Sequence, residues 1–485
     1  MTASKMTGPH GHRSSRVVLH AILAAGFAAS VAGGNMTAHD GPPSFADAEA
    51  QRTPIAAAGF GLDELRSDEG RGRTQDTIDD SVDREARIAL RQGRHIFRYD
   101  TFGDEAFWGQ KLLLHEVVAG AANGGIGAGV SPSEALSLGI KVNVDALPPS
   151  LQRDLKAGRV NLGDPATTLA LLKLNAVVGL TGFFDDSGAI QSLGLQCAFC
   201  HTTVDDSFAP GVGHMLDGWP NRDLNVGAIV ATSPDLSAFT DLLGVSDAAL
   251  RNVLSGWGPG KFDAFVILDG KVTRPDGGPA AVLIPALFDL QGSGLVTWNG
   301  WGGIASWVPV VINLEMHGQG VLSDRRLADA TQFPVAAANG FSHIVNTPDL
   351  ATSKLAPLLT YVQALRAPRP PAGSFDVDAA KLGEALFTGK ARCSGCHVPP
   401  LNTTPGWNIV PPAVIGIDSF QADRSPNLGY RPPPLHALFA QTKGGFFHDG
   451  RFATLNDVVA HFDTQFSLAL TVDEQNELVE YLKSL

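Results

Sequence analysis

Cys197-Ala198-Phe199-Cys200-His201 and Cys393-Ser394-Gly395-Cys396-His397 together contain all four cysteines of this 485-residue chain. Both strings have the pattern Cys-x-x-Cys-His, which is the attachment signature of c-type haem. On a helix, residues at i, i+3 and i+4 share one face, so two thiols can bind a porphyrin while the histidine turns toward its iron. The sequence therefore predicts two covalently bound c-type haems, with His201 and His397 as iron ligands.

Two other interpretations of the paired cysteines are a Cys₄ zinc site shared by both strings and two redox-active dithiols. Zinc sites separate their cysteine pairs by roughly 15–20 residues, whereas Cys200 and Cys393 are separated by a much longer stretch of chain. A histidine directly after each pair has no role in either alternative. Haem attachment is therefore the favoured interpretation.

The N-terminus has the features of a secretory signal peptide. Arg13 and Arg16 precede an apolar run over residues 17–32, which ends with the small residues Ser30 and Ala32. The run is shorter than the roughly 20 residues that span a bilayer, and no later stretch is long and apolar enough. We expect residues 1–32 to be a signal peptide and the mature protein to be periplasmic or otherwise exported, without a membrane span.

The chain is acidic, with 36 Lys and Arg against 49 Asp and Glu and a formal net charge of −13. Nucleic acids and anionic membrane surfaces repel such a protein, so neither is an expected partner. A small redox protein, as electron donor or acceptor, is the partner that suits a haem protein of this charge.

Composition divides the rest of the chain into four segments. Residues 33–80 lack sustained periodicity and are predicted to be a mobile leader. Residues 81–365 form a predicted N-terminal haem domain with insertions, and residues 375–485 a predicted C-terminal cytochrome c domain. Between them, residues 366–374 are rich in proline, which interrupts helices and strand ladders, and are predicted to be a linker.

The fold class predicted is mainly α, with two cytochrome c-like haem domains, the first enlarged by insertions and small β-hairpins. Hairpins are expected within residues 176–197 and 265–272, because each contains turn residues between apolar runs. Helices are expected at residues 378–387, after Thr454, and after Thr471, where Thr471 and Glu474 have capping-box spacing.

The sixth ligand of the second haem cannot be a methionine from its own domain, because no methionine follows Met316. The remaining candidates are His436, His448, His461, Tyr430 and Tyr481, or an open position. His461 lies at the margin of the apolar stripe of its helix and is the first choice, followed by His448.

The surroundings of the first haem leave more alternatives open. Ligand candidates are His214, Met215, Met316 and His317. Residues that could assist catalysis are His214, Glu315, His317 and Trp307, although a tryptophan is more often packing material. An iron with a displaceable sixth ligand can bind peroxide or oxygen, so this choice separates an enzyme from an electron carrier.

The C-terminal region resembles the bacterial dihaem cytochrome c peroxidase and MauG superfamily over about residues 380–485. The likeness rests on Leu386-Phe387-Thr388-Gly389-Lys390, on Tyr430-Arg431-Pro432-Pro433-Pro434-Leu435, and on the string from Gly445 to Leu455. It implies that His397 serves an electron-transfer haem and His201 a haem that reacts with hydrogen peroxide. Where that family places a methionine or tyrosine ligand, this chain has Phe462, which cannot bind iron.

The N-terminal region resembles this superfamily only distantly. Its long insertions are closer to those of the dihaem rubber oxygenases, which cleave polyisoprene with oxygen, and Trp307 is near the place of a haem-side tryptophan in those proteins.

The function predicted is that of an exported dihaem c-type oxidoreductase of the peroxidase type. Peroxide reacts at the His201 haem, and the His397 haem relays electrons. The alternatives are a non-enzymatic dihaem electron carrier, an oxygen-dependent haem dioxygenase of the rubber-oxygenase type, and a zinc-binding structural protein.

Overall fold

The computed structural model describes residues 73–485, with side chains from Ile78 onward. The predicted signal peptide and most of the predicted leader lie outside the described residues. Within them the fold is mainly helical, and each sheet has only two strands. No helix in the described range is long and apolar enough to cross a membrane.

One long and five short α-helices precede the first Cys-x-x-Cys-His motif in the described residues, and further helices follow it. Those before the motif are α1 (Arg73–Tyr99), α2 (Glu105–Trp108), α3 (Leu114–Ala119), α4 (Pro132–Ser137), α5 (Pro149–Lys156) and α6 (Pro165–Lys173). The motif itself forms α7 (Cys197–His201), followed by α8 (Val226–Val230), α9 (Ser237–Leu243), α10 (Asp247–Gly256), α11 (Val266–Asp269), α12 (Ile304–Val310), α13 (Pro334–Ala338) and α14 (Thr352–Ala364).

The long helices α1 and α14 pack against each other and support the first motif from one side. Their close approach requires Gly93, because a Cβ there would lie 2.0 Å from the Pro357 carbonyl oxygen. Phe97 of α1 and Leu358 of α14 are fully buried in the same apolar cluster, against which Cys197 also packs. The first attachment site is thus built on a packed helix pair.

The strands are short and paired in sequence-local units, with one exception. They are β1 (Val142–Asn143), β2 (Leu180–Phe184), β3 (Ile190–Leu195), β4 (Thr202–Val204), β5 (Val212–Gly213), β6 (Met215–Asp217), β7 (Lys261–Phe262), β8 (Val282–Leu283), β9 (Val321–Ser323) and β10 (His343–Val345). β1 pairs in parallel with β5, and the antiparallel pairs are β2–β3, β4–β6, β7–β8 and β9–β10.

The hairpin predicted within residues 176–197 is confirmed by β2 and β3, which lead the chain directly into α7. The hairpin predicted at residues 265–272 is wrong, because Val266–Asp269 is a helical turn. Gly270 ends that turn in the left-handed conformation, with φ of 70°. The Asp-Gly pair therefore closes a helix here, and the Asp269 carboxylate is used in a buried ion pair with Arg424.

The C-terminal region contains the three helices that the sequence predicts and two four-residue helices that it does not predict. They are α15 (Val377–Thr388), α16 (Pro412–Ile415), α17 (Phe420–Asp423), α18 (Leu455–Phe466) and α19 (Val472–Ser484). Thr454 with Asp457 and Thr471 with Glu474 form capping boxes at the starts of α18 and α19. Helices α15 and α19 cross at Gly383, where a Cβ would lie 2.0 Å from the Glu477 carbonyl oxygen.

The proline-rich segment between the two regions contacts the N-terminal region at Asp289. The Ala367 backbone N–H donates to Asp289 at 3.2 Å, and the Arg366 guanidinium donates to the same carboxylate at 3.4 Å. His436 of the C-terminal region also binds Asp289, at 2.8 Å. Asp289 therefore joins the two motif-bearing regions on either side of the segment.

Candidate functional site

The first motif is a single turn of helix whose ends are fixed by hydrogen bonds from distant residues. Before it, the Asp104 carboxylate accepts a hydrogen bond from the Leu195 N–H at 3.0 Å. After it, the carbonyl of His201 accepts from Gly218 N at 2.8 Å, and that of Cys200 from Asn221 N at 2.9 Å. The last carbonyls of α7 are therefore satisfied, as a short buried helix requires.

His201 is held in the orientation expected of an iron ligand. Its Nδ1 lies 3.1 Å from the Pro285 carbonyl oxygen. A carbonyl can only accept, so Nδ1 carries the proton and the lone pair of Nε2 is left for a metal. Burial lowers the pKa of His201 to about 4, so the ring is neutral at physiological pH.

The second motif holds its histidine in the same way on a shorter turn. Cys393–Gly395 form a 3₁₀ turn instead of an α-helix, and Cys396 is exposed. The Nδ1 of His397 lies 3.0 Å from the Asn402 carbonyl oxygen, which leaves its Nε2 available in the same way. Burial also lowers the pKa of His397 below its ordinary value.

A cavity of about 1160 Å³ adjoins the second motif. Cys393, Cys396 and His397 line it, together with apolar side chains of α15, α18 and α19. Small-molecule sites usually measure about 300–1,000 Å³, so this space is large enough for a planar macrocycle. The donor set and the cavity together fit a thioether-linked haem.

Among the predicted sixth ligands of this haem, His448 lines the cavity and offers an unused ring nitrogen. Its Nε2 is buried and has no hydrogen-bond partner among residues 73–485. Its ring stacks on Tyr430 at a centroid distance of 5.0 Å, and burial lowers its pKa to about 4. His448 is therefore a neutral imidazole whose ring is held in place by its stacking on Tyr430. A neutral ring with a free nitrogen is suited to binding iron.

The other predicted ligands are engaged elsewhere. His461, which the sequence ranks first, has its Nε2 2.7 Å from the Ile415 carbonyl oxygen, and the cavity is lined by its neighbour Phe462. Both ring nitrogens of His436 have partners, in Asp289 and the Leu401 carbonyl. The Tyr430 hydroxyl donates to the Asp418 carbonyl at 3.1 Å, and Tyr481 packs edge-on against Phe387.

One short backbone segment, Leu283 to Pro285, contacts both sites. The Leu283 N–H donates to the His448 carbonyl at 2.7 Å, and its carbonyl accepts from Trp298 Nε1 at 2.7 Å. Two residues later, the Pro285 carbonyl accepts a hydrogen bond from His201, while Pro285 itself lines the 1160 Å³ cavity beside the second motif. Sequence reasoning missed this segment because its contribution is made by backbone groups.

Of the predicted catalytic residues, Glu315 has the environment of a proton donor. It ends a π-helical turn, Val311–Glu315, and its Oε1 is buried without a partner in the described part of the chain. Burial, assisted by the nearby charge of Asp263, raises its pKa to about 8. Glu315 lies close enough to Cys200 that its charge raises the pKa of that thiol.

His317 and Trp307, the next two predicted catalytic residues, are both packed among aromatic side chains. His317 adopts a left-handed backbone conformation, stacks on Phe107 at 3.6 Å, and lines a small cavity of about 50 Å³ together with Glu315. Burial lowers the pKa of His317 to about 3. Trp307 packs against the apolar cluster that also contacts Cys197 and is flanked by Trp301.

His214 is placed differently from the other three candidates. Its side chain is 57% exposed and its Nδ1 lies 2.8 Å from Asp145. It is absent from the residues lining both the 50 Å³ and the 1160 Å³ cavities. It therefore lies on the protein surface, in a hydrogen bond with Asp145.

The arrangement of the cysteines gives no support to the zinc and dithiol alternatives. Within the described range, no group of three or more potential metal ligands includes a cysteine. Burial raises the pKa of Cys197 and Cys200 to about 12 and that of Cys393 to about 11, which is the opposite of an activated thiol. The one such group that the described residues contain, Asp418, His448 and Asp449, is already neutralised by Arg274 and Arg451.

Comparison with known proteins gives no family. No protein-family model and no curated protein matches the chain. Among solved structures, hydrazine synthase from Kuenenia stuttgartiensis aligns with 21% identity and a TM-score of 0.25, over 44% of this chain and 75% of the other. A MauG-like protein associated with microbial copper homeostasis aligns with 16% identity and a TM-score of 0.28, over 45% and 76%. TM-scores this low do not establish a common fold.

Proposed function

We propose that this chain is an exported dihaem c-type oxidoreductase that reduces hydrogen peroxide. One haem would be attached at Cys197 and Cys200, and the other at Cys393 and Cys396. The observation that carries the proposal is the repeated histidine geometry. In both motifs the imidazole Nδ1 is bound to a backbone carbonyl, so that a neutral Nε2 is available for iron.

When bound, the two haems would supply iron centres for electron transfer and for reaction with peroxide. The protein supplies the proton. Glu315 is protonated at neutral pH because burial disfavours its charge, and it lies near Cys200. A carboxylic acid in this state can give a proton to a departing peroxide oxygen and later take one back.

The two sites are assigned different roles because their surroundings differ. Near the first site, Glu315 and His317 line a small cavity that Cys197, Cys200 and His201 do not line, and the buried acid close to Cys200 favours proton-dependent chemistry there. The second site has His448, whose free ring nitrogen would complete a six-coordinate electron-transfer haem. Pro285 accepts the hydrogen bond of His201 and also lines the 1160 Å³ cavity, so it would lie on the route of electrons between the two haems. A small basic redox protein is the proposed external electron donor.

The test is to express the full chain in a host that matures c-type cytochromes and to measure its mass, haemochrome and electron paramagnetic resonance spectrum. We expect two tetrapyrrole additions, and a signal from one haem that changes when peroxide is added with an electron donor. Two low-spin haems inert to peroxide would identify an electron carrier instead. A stable oxygenated spectrum without peroxide turnover would identify an oxygenase.

A further inference from the structure

Two arginines that line the 1160 Å³ cavity have buried nitrogens without partners. They are Nε and Nη1 of Arg222 and Nη1 of Arg431, which have no hydrogen-bond acceptor anywhere in residues 73–485. Burial lowers the pKa of each to about 10, so both stay charged at neutral pH. A buried charge without a counter-charge is unfavourable, so an anion is the expected partner of these two guanidiniums.

Other buried or partly buried arginines of this fold do have counter-charges. Arg424 is fully buried between Asp263 and Asp269, with N–O distances of 3.0 and 2.7 Å. Arg451 is paired with both Asp418 and Asp449. Arg222 and Arg431 thus differ from these other arginines in lacking a carboxylate partner, and both of them line the cavity.

The two side chains come from different regions of the chain and meet the same cavity. Arg431 belongs to the string that begins at Tyr430, and its Nε donates to the Thr297 carbonyl. Arg222 follows the first motif, and its charge is close enough to His201 to contribute to the lowered pKa of that ring.

We propose that Arg222 and Arg431 bind the two propionate carboxylates of the haem attached at Cys393 and Cys396. The proposal rests on the haem attachment in the proposed function and adds the residues that hold its acidic edge. Haem carries two carboxylates, and a guanidinium is the side chain that pairs with a carboxylate through two parallel hydrogen bonds. Because Arg222 comes from the N-terminal region, that region contributes directly to the second haem site.

The experiment compares Arg222→Met and Arg431→Met with the control Arg392→Met, all in the full chain. Arg392 also lines the cavity, next to Cys393, but it is exposed to solvent. Each variant is checked for two haems by mass, and the midpoint potential of each haem is then measured by optical titration. Losing a buried positive charge beside the haem disfavours reduction. We expect the His397 haem to become about tenfold harder to reduce, about 59 mV for one electron, and the control to change it less than threefold.

Three outcomes are distinct. A wild-type chain without haem would overturn the proposed function and this proposal together. Two haems whose potentials move no more in Arg222→Met and Arg431→Met than in Arg392→Met would overturn only the propionate assignment. So would a shift confined to the His201 haem.

If the methionine variants are not exported, Arg222→Lys and Arg431→Lys provide the second measurement. Lysine keeps the charge but not the two parallel hydrogen bonds. We then expect the propionate bending bands in the resonance Raman spectrum of the His397 haem to shift. Bands identical to those of the wild-type protein would contradict the assignment.

Discussion

The two Cys-x-x-Cys-His motifs share a pattern but are supported in different ways. The first is a helical turn whose histidine is held by Pro285, 84 residues further along the chain. The second is a 3₁₀ turn whose histidine is held by Asn402, only five residues away, and which adjoins a large cavity. The histidine of a Cys-x-x-Cys-His motif can thus be oriented by a residue far away in sequence or by one in the loop that follows it. Only a contact of the second kind joins residues that are close together in the sequence.

The largest effect expected concerns the independence of the two sites. Replacing Cys393 and Cys396 with alanine would remove both thioether links proposed for the second site, while the first motif keeps its own support from Asp104 and Pro285. We expect the exported protein to lose one tetrapyrrole mass and retain the other. The matched variant with Cys197→Ala and Cys200→Ala is the control. Loss of both haems from the first variant would show that the sites depend on each other.

The next effect distinguishes the chemistry of the two sites. Glu315 is the buried acid near the first motif, so Glu315→Gln removes the proton without changing the shape of the side chain. General acid–base catalysis contributes about 10²–10⁴-fold, and we expect peroxide turnover to fall by that order. His214→Gln, at an exposed position, serves as the control and is expected to leave turnover unchanged. Equal turnover in wild-type and Glu315→Gln proteins would remove Glu315 from the mechanism.

A third prediction addresses how the two regions are held together. Arg424 lies in the C-terminal region, and its partners Asp263 and Asp269 lie in the N-terminal region, all with side chains at most 1% exposed. Arg424→Met leaves two buried carboxylates without a counter-charge, which costs about 3–5 kcal/mol in the free energy of unfolding. Denaturant titration measures the change. Adding Asp263→Asn and Asp269→Asn should recover part of the loss, and no recovery would argue against an electrostatic cause.

The titration of Glu315 gives a smaller effect with a defined sign. Its pKa is raised from 4.5 to about 8, so between these pH values the folded protein holds a proton that the unfolded chain has released. The free energy of unfolding should therefore fall with rising pH in this window, by about 1.4 kcal/mol per pH unit from this group. Above pH 8 the contribution levels off. The glutamine of Glu315→Gln does not titrate, so the free energy of unfolding of this variant should rise relative to that of the wild type between pH 4.5 and about 8. If the two proteins gave parallel curves of unfolding free energy against pH, Glu315 would not be a buried neutral carboxyl.

How much the sequence could predict follows the same division between local and long-range contacts. Motif cysteines, the hairpin of β2 and β3, and the helices α15, α18 and α19 depend on spacing within a few residues, and the sequence predicts them. The sequence predicts a hairpin within residues 265–272, where the structure has the helix Val266–Asp269, because Asp-Gly suits both a turn and a helix end. What decided between them was Arg424, 155 residues from Asp269 in sequence.

The site shows this limit more clearly. The sequence pattern places His461 before His448 because of its position on a helix face, and no pattern reveals the contact of His461 Nε2 with the Ile415 carbonyl. Likewise, nothing marks Arg222 in the sequence as different from any surface arginine. Its significance comes from burial without a counter-charge, which is a property of the folded chain.

The smallest effect compares matched helix caps in the two regions. Ser131 with Glu134 caps α4 in the N-terminal region, and Thr471 with Glu474 caps α19 in the C-terminal region. Losing a cap hydroxyl costs about 1 kcal/mol in either place. Helix α19 packs on α15 beside the second motif, whereas α4 lies in the other region. Thr471→Ala and Ser131→Ala should therefore lower the free energy of unfolding alike, while only Thr471→Ala should alter the spectrum of the His397 haem. Equal spectral changes in both variants would mean that the two regions transmit strain to each other, contrary to the locally supported second site.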